Sequence, residues 1–289
     1  MTGSAGASGG PAYLTLADGR RVAYEEYGAS EGFPILNCHG GLLCRLDVEP
    51  AAADARELGV RIISPDRPGV GGSDRRPGAL TVDWADDARE LLDALEIDRC
   101  ACMGWSLGGQ YALAVAARLG DRITRTAVIA GCPPLDDGRL RRELSRLDRV
   151  LATLSTRAAP LARGVFGVIG RTAQRRPQSA AKTSTRGLPA AERDAVLEQG
   201  DWMGRAMAEG TRDPWGAVDE YRAFVGPWGF ALSDVGGLVE LWQGDRDQLV
   251  PPAWAGLLAA GLPRSEVVAV AGAGHLVALT HRRRIMASL

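Results

Sequence analysis

The chain is short of several residue types, and each shortage narrows what it can be. Of 289 residues, only Lys182 is a lysine, and only His39, His275 and His281 are histidines. Arginine carries nearly all the positive charge, and the formal net charge is −1. Such a balance gives no electrostatic reason to expect nucleic acid or an anionic membrane surface as a partner. No apolar run approaches the roughly 18 residues of a membrane-spanning helix, so no membrane span is expected. The cysteines, Cys38, Cys44, Cys100, Cys102 and Cys132, are odd in number and match no zinc-ligand spacing. They are expected to be reduced, in a cytoplasmic protein. The stretch Met1–Pro11 has neither the basic start nor the apolar centre of a signal peptide, and reads as an unstructured tail.

Against these shortages stand 37 glycines and a hydrophobic content of 46%, enough for a proper core. The glycines are informative at one place above others. Cys100–Met103 is a short apolar run, Gly104-Trp-Ser-Leu-Gly-Gly109 follows, and Tyr111–Arg118 is Ala-rich with helical character. Strand, Gly-x-Ser-x-Gly-Gly, helix is the nucleophile-elbow pattern. So tight a turn demands strained backbone at Ser106 and leaves no room for side chains at Gly104 and Gly108. It also places the Ser106 hydroxyl at the N-terminus of a helix, whose free N–H groups suit a developing oxyanion.

Elsewhere the pattern alternates. Tyr13–Leu16 and Arg21–Tyr27 flank Asp18-Gly19 and predict a hairpin. Phe33–His39, Val60–Ser64 and Thr126–Ala130 read as buried strands, and Pro50–Leu58 as a helix. Thr81–Leu95 is an amphipathic helix, with Val82, Ala85, Leu92 and Leu95 inward and Asp83, Asp86, Asp87 and Glu90 expected to face water. Strands alternating with helices imply a mostly parallel, twisted sheet flanked by helices, an α/β fold. The alternation stops near Cys132-Pro133-Pro134. Residues 134–232 contain helical, arginine-rich segments and no convincing strand, so they read as a helical insertion after the sixth strand. The strand pattern returns at Val239–Trp242 and Glu266–Ala271, with helices at Pro252–Ala260 and from Val277 onward. Residues 1–133 and 233–289 thus form the core, and 134–232 a cap.

A serine hydroxyl needs a general base, and the base an orienting acid. His275 lies in the glycine-rich Ala271-Gly-Ala-Gly-His275 loop, just after the last strand. Strand C-terminal edges are where α/β sheets carry their reactive groups. His281 stands among Arg282, Arg283 and Arg284 and reads as a solvated residue; His39 reads as a loop-shaping hydrogen bonder. His275 is therefore the candidate base. Gln243–Pro252 supplies two candidate acids, Asp245 and Asp247, although a polar turn with one capping aspartate would look similar.

The order Ser…Asp…His, with these motifs, resembles the α/β-hydrolase superfamily. The likeness covers about two thirds of the chain, everything outside the tail and the insertion. It implies that Gly41, after His39-Gly40, and Leu107, after the nucleophile, form the oxyanion hole through their N–H groups. Asp66-Arg-Pro-Gly-Val-Gly-Gly-Ser73 resembles the family's Asp-x-Arg-Gly-x-Gly-x-Ser turn, with Pro68 and a slightly altered register. Gly244-x-x-Asp247-x-x-Val-Pro251 resembles its acid motif, which points to Asp247 over Asp245. Ser106 departs from the aspartate-nucleophile epoxide hydrolases and haloalkane dehalogenases. Leu42-Leu43 departs from the Pro-Gly that prolyl aminopeptidases carry after His-Gly-Gly.

The expectation is a capped serine hydrolase acting on an ester or lactone through Ser106, His275 and Asp247, without metal or organic cofactor, as a monomer or homodimer with a small-molecule substrate. Trp105, Trp202 and Trp228 are the candidate substrate contacts. Met203, Met207, Trp215, Tyr221 and Phe230 are shared between pocket roof and the insertion's own core. Three alternatives stay open: a C–C bond hydrolase with the same triad, a non-hydrolytic cyclase or lyase, and a binding protein with an idle triad.

Overall fold

The structure, a computed structural model, describes residues 10–289; the tail expected over Met1–Pro11 lies outside these residues except for Gly10 and Pro11. Eight strands, β1 (Ala12–Thr15), β2 (Arg21–Gly28), β3 (Phe33–Cys38), β4 (Val60–Pro65), β5 (Cys100–Trp105), β6 (Ile123–Ile129), β7 (Leu238–Gly244) and β8 (Ser265–Val270), form one sheet. Their order is β1-β2-β4-β3-β5-β6-β7-β8. β2 runs antiparallel to both β1 and β4, and the remaining pairs are parallel. The hairpin turns at Gly19, whose φ of +85° favours glycine.

The topology decides where the site lies. From β3 the chain moves outward to β4, then crosses back to β5 on the other side of β3. The carboxyl ends of β3 and β5, neighbours with Cys38 opposite Gly104, therefore launch their loops in opposite directions and leave a crevice.

One face of the sheet carries α2 (Trp84–Ala94), α3 (Gly108–Leu119) and α10 (Trp254–Gly261). The other carries α1 (Ala52–Glu57), α11 (Val277–Thr280) and α12 (Arg282–Ser288). Central β5 is buried along its whole length: Cys100 and Cys102 join the first layer, and Ala101, Met103 and Trp105 the second. That is the period of two expected of a strand covered on both faces. Asp87 on α2 differs from the sequence expectation. It is buried, and the Arg20 guanidinium from the hairpin grips both its oxygens at 2.8 and 2.6 Å. A buried carboxylate needs such a partner, and pattern alone does not supply it.

Between β6 and β7 the chain runs through α4 (Arg146–Arg157), α5 (Ala159–Arg175), α6 (Pro177–Ser184), α7 (Ala190–Glu198), α8 (Trp202–Gly210) and α9 (Pro214–Val225). Residues of α4, α5 and α9 extend the first core layer, and residues of α6, α7 and α8 the second. None of the described helices is long and apolar enough to cross a membrane.

Candidate active site

Ser106 follows β5 directly and has φ +55°, a left-handed conformation that costs a non-glycine residue energy. The turn is closed by two hydrogen bonds: Ser106 N–H donates to the Ile129 carbonyl at 2.7 Å, and Gly109 N–H to the Ser106 carbonyl at 2.9 Å. A Cβ on Gly104 would strike the Gly108 carbonyl oxygen and stand 2.9 Å from Ala112 Cβ. A Cβ on Gly108 would strike the carbonyl oxygens of Cys38 and His39. The first glycine lets α3 press on the strand end, and the second lets the β3 loop press on α3.

The loops after β7 and β8 bring an acid and an imidazole together. His275 Nδ1–H donates to Asp247 Oδ2 at 2.9 Å, and both residues are buried. Asp247 Oδ1 accepts the N–H groups of Leu249 (2.8 Å) and Val250 (3.0 Å), and Gln243 Nε2 donates to Oδ2 at 3.2 Å. Burial pushes the Asp247 carboxyl up, but the His275 charge and these donors outweigh it and hold the carboxyl below its usual range. Burial likewise pushes His275 down, and the Asp247 carboxylate more than compensates, so the imidazole sits above its ordinary value. Asp245 is not the partner. It is exposed, and its Oδ1 accepts the Gly272 N–H at 2.7 Å, pinning the loop that leads to His275.

Ser106 and His275 are linked through the residue before the serine. Trp105 Nε1–H donates to the His275 carbonyl at 2.9 Å, with ring centroids 5.6 Å apart. The Ser106 hydroxyl forms no hydrogen bond to His275 here; such pairs often tighten only when substrate binds. The peptide before His275 carries a further contact, from α7: Gly274 N–H donates to Glu192 Oε1 at 2.6 Å.

Gly41 meets the elbow directly, since a Cβ on it would lie 3.3 Å from Leu107 Cδ1. Among the described residues, neither the Gly41 nor the Leu107 N–H donates to any acceptor, which leaves two adjacent donors free. The Gly40–Gly41 loop is held from behind. Asp47 Oδ2 accepts Gly40 N–H at 3.0 Å, while Oδ1 accepts the Asn37 amide at 2.7 Å. Burial, opposed by these donors, pushes the Asp47 carboxyl up to about 7.

His39 shapes the same loop. Its Nδ1–H donates to the Gly40 carbonyl at 2.9 Å, so its Nε2 accepts Arg67 N–H at 3.2 Å. Burial and the Arg67 charge hold it well below the usual imidazole range, hence neutral. Arg67 donates to the His39 carbonyl at 2.5 Å, pairs with Glu220 of α9 at 2.5 Å and lies 4.4 Å over the Tyr111 ring. Nothing in the sequence marks Asp47, which shares its segment with Glu49, or Glu192 and Glu220, which reach the loops from α7 and α9.

The three tryptophans expected at one pocket are not brought together. Trp228 packs in the first core layer against Phe230, rings 5.5 Å apart, while Trp105 and Trp202 lie in the second. Trp202 Nε1–H donates to the Leu46 carbonyl at 2.6 Å. Trp105 and Trp202 do share a cavity with Asn37, Asp47 and Ile285, but at about 40 Å³ it suits a few waters and no substrate. Through its indole Trp202 ties α8 to the segment between β3 and β4. His281 also differs from the expected solvated residue: it is half-buried, its Nδ1 hydrogen-bonded to Thr280 Oγ1 at 3.0 Å.

Comparison with known proteins agrees with this architecture. The family model described as alpha/beta hydrolase fold matches residues 34–282. A 2-hydroxymuconate semialdehyde hydrolase of a Pseudomonas species is 37% identical over 122 residues, 39% of this chain and 41% of that protein. A pimeloyl-[acyl-carrier protein] methyl ester esterase of Aromatoleum aromaticum is 29% identical over 233 residues, 77% of this chain and 83% of that protein. The matches to the first curated relatives span less than half of those proteins' length. Among solved structures, a bromoperoxidase from Bacillus anthracis superposes with TM-score 0.71 at 22% identity, covering 95% of this chain and 96% of that one.

Proposed function

Because the chain belongs to the α/β-hydrolase fold family of enzymes, we propose that it is a serine hydrolase cleaving carboxylic esters or lactones of small to medium apolar substrates. Ser106 attacks the carbonyl carbon while His275 takes its proton. The Gly41 and Leu107 N–H groups stabilise the tetrahedral oxyanion. His275 returns the proton to the leaving alkoxide, then activates water to release the acid from the acyl-enzyme. Asp247 keeps His275 in the tautomer with its proton on Nδ1, so that Nε2 is the basic atom. The observation that carries this reading is the elbow, a left-handed serine at φ +55°, together with an imidazole bonded to a buried carboxylate at 2.9 Å and tied through its own carbonyl to Trp105, the residue before the serine. The esterase relative, matched over 77% of the chain, supports the ester class. A second reading, hydrolysis of a C–C bond by the same groups, draws on the semialdehyde hydrolase relative.

In this proposal α4–α9 act as a cap over the crevice and choose among substrates. A cytoplasmic location fits five buried cysteines that are all free thiols. The test is labelling with a fluorophosphonate, followed by turnover of acyl esters of graded length, lactones and vinylogous diketones in 18O-labelled water. An adduct on Ser106 and 18O in the released acid are expected, both lost in Ser106→Ala, whose kcat should fall roughly a millionfold. A pure Ser106→Ala variant with near-normal turnover would remove the serine from the mechanism. Turnover of diketones alone would favour the second reading, and a product without labelled oxygen would favour a cyclase or lyase.

A further inference from the structure

Glu192 is a buried carboxylate that the proposed reaction does not use. It is the third residue of α7, in the first turn, where a glutamate ordinarily folds back to cap its own helix. That role is closed here, because the cap position is Pro189, which has no N–H to donate to the carboxylate. The carboxylate instead crosses from the insertion to the loop after β8. Oε1 accepts Gly274 N–H at 2.6 Å, on the peptide immediately before His275. Oε2 is buried without a hydrogen-bond partner and would lie 2.7 Å from a Cβ on Gly274, with Pro189 Cδ at 2.9 Å. Gly274 is thus a glycine so that the start of α7 can approach this close. The residue is 1% exposed, so this is a seated contact and not a passing surface one.

A carboxylate left half-satisfied in the interior costs stability, and such groups are commonly retained for what they do elsewhere. We infer that Glu192 is a positioning residue: it fixes the backbone that presents His275 and adds a second negative charge behind the imidazole, tying the catalytic loop to the seating of the insertion. The inference rests on the serine-hydrolase reading for its consequence but not for its geometry. The acidic groups that act on His275 are Asp247 from the loop after β7, Asp148 from α4 and Glu192 from α7, and each favours the imidazolium. Burial raises the Glu192 carboxyl above its ordinary value, and the Leu276 and Gly274 N–H groups and the His275 charge oppose that rise. Asp247 supplies the direct hydrogen bond, and Glu192 acts from one peptide away.

The two contributions of Glu192 separate by substitution. Glutamine can still accept the Gly274 N–H but carries no charge; alanine does neither. The experiment titrates His275 by NMR in selectively labelled wild type, Glu192→Gln and Glu192→Ala, alongside kcat and kcat/KM against pH. With three histidines in the chain the signals are assignable by single replacements at His39 and His281. Expected for Glu192→Gln are a near-native kcat at the pH optimum, a His275 midpoint displaced downward, and an acid limb of kcat/KM displaced with it. Expected for Glu192→Ala is a further loss in kcat on the order of a hundredfold, because the loop is no longer held. An unmoved His275 midpoint in both variants would overturn the inference, as would a Glu192→Ala kcat equal to wild type. A Glu192→Ala variant that fails to fold leaves Glu192→Gln to decide. Should Ser106→Ala instead prove active, the serine mechanism fails while the His275 midpoint still reports on Glu192.

Discussion

Replacing Asp247 by asparagine probes the candidate site with almost no change in shape, and the structure says what should follow. Asp247 accepts four hydrogen bonds, two on each oxygen. An asparagine keeps the two that matter for the loop if its carbonyl takes the place of Oδ1, facing the N–H groups of Leu249 and Val250 at 2.8 and 3.0 Å. The flipped amide would aim its NH2 at those two donors and forfeit both bonds, about 1 kcal/mol each. In the favoured orientation the NH2 faces His275 Nδ1 and must donate to it. His275 Nδ1 then accepts, its hydrogen moves to Nε2, and the imidazole no longer has a basic atom for the Ser106 proton. The imidazolium also loses its counter-charge. By the triad template kcat should fall on the order of ten thousandfold, equivalent to about 5.5 kcal/mol of transition-state stabilisation. Asp245→Asn keeps an acceptor for the Gly272 N–H at an exposed position, and should stay within about 0.5 kcal/mol in stability, with kcat little changed. The assay is kcat at saturating p-nitrophenyl ester for both variants, normalised to folded fraction by circular dichroism. An Asp247→Asn kcat within tenfold of wild type, or the reverse ranking of the two variants, would refute the reasoning.

Four further outcomes are expected. Because only neutral His275 is basic, kcat/KM should rise with pH through a midpoint above the ordinary imidazole value of 6.5; a midpoint below it would contradict the raised His275 pKa. The same pair should bear on stability. The raised His275 contributes below its unfolded value of 6.5 and loses that contribution as pH rises through its folded pKa. The depressed Asp247 contributes above 3.8 and loses that as pH falls through its own. Wild type should therefore gain most over Asp247→Asn in Tm between about pH 4 and 6.5, and a Tm difference that is flat across pH would count against the pair. Trp202→Ala and Trp228→Ala should each cost about 3–5 kcal/mol in urea unfolding, with equal effects on KM for acetates and bulky esters; a selective rise for bulky esters at unchanged Tm would make the residue a substrate contact. Gly108→Ala should lose about 1–3 kcal/mol through overpacking against the β3 loop, and on the order of a hundredfold in kcat as the Gly40–Gly41 loop shifts; unaltered kinetics would show that this loop does not set the oxyanion donors.

What the sequence determined by itself is what local chemistry decides. Alternating strand and helix patterns specify a parallel sheet, because each apolar run must be covered on both faces. Gly-x-Ser-x-Gly between a buried strand and an Ala-rich helix specifies a left-handed serine, since a turn that tight tolerates little else. Three histidines and two nearby aspartates leave few ways to provide a base and an acid. Residue type alone leaves Asp245 and Asp247 alike, and it was the spacing of the family's acid motif that favoured Asp247; tertiary structure shows how the loop after β7 aims Asp247 at His275 and Asp245 at the Gly272 N–H. It also decided that Asp87 is buried against Arg20 and that the three tryptophans separate into two core layers. Periodicity shows that a face is apolar but not which distant surface will cover it. Glu192 marks the limit most clearly. In the sequence it is a first-turn glutamate close to Asp194 and Glu198, 83 residues before His275. Only the packing of α7 on the loop after β8, which Gly274 permits by having no side chain, turns it into a neighbour of the candidate base.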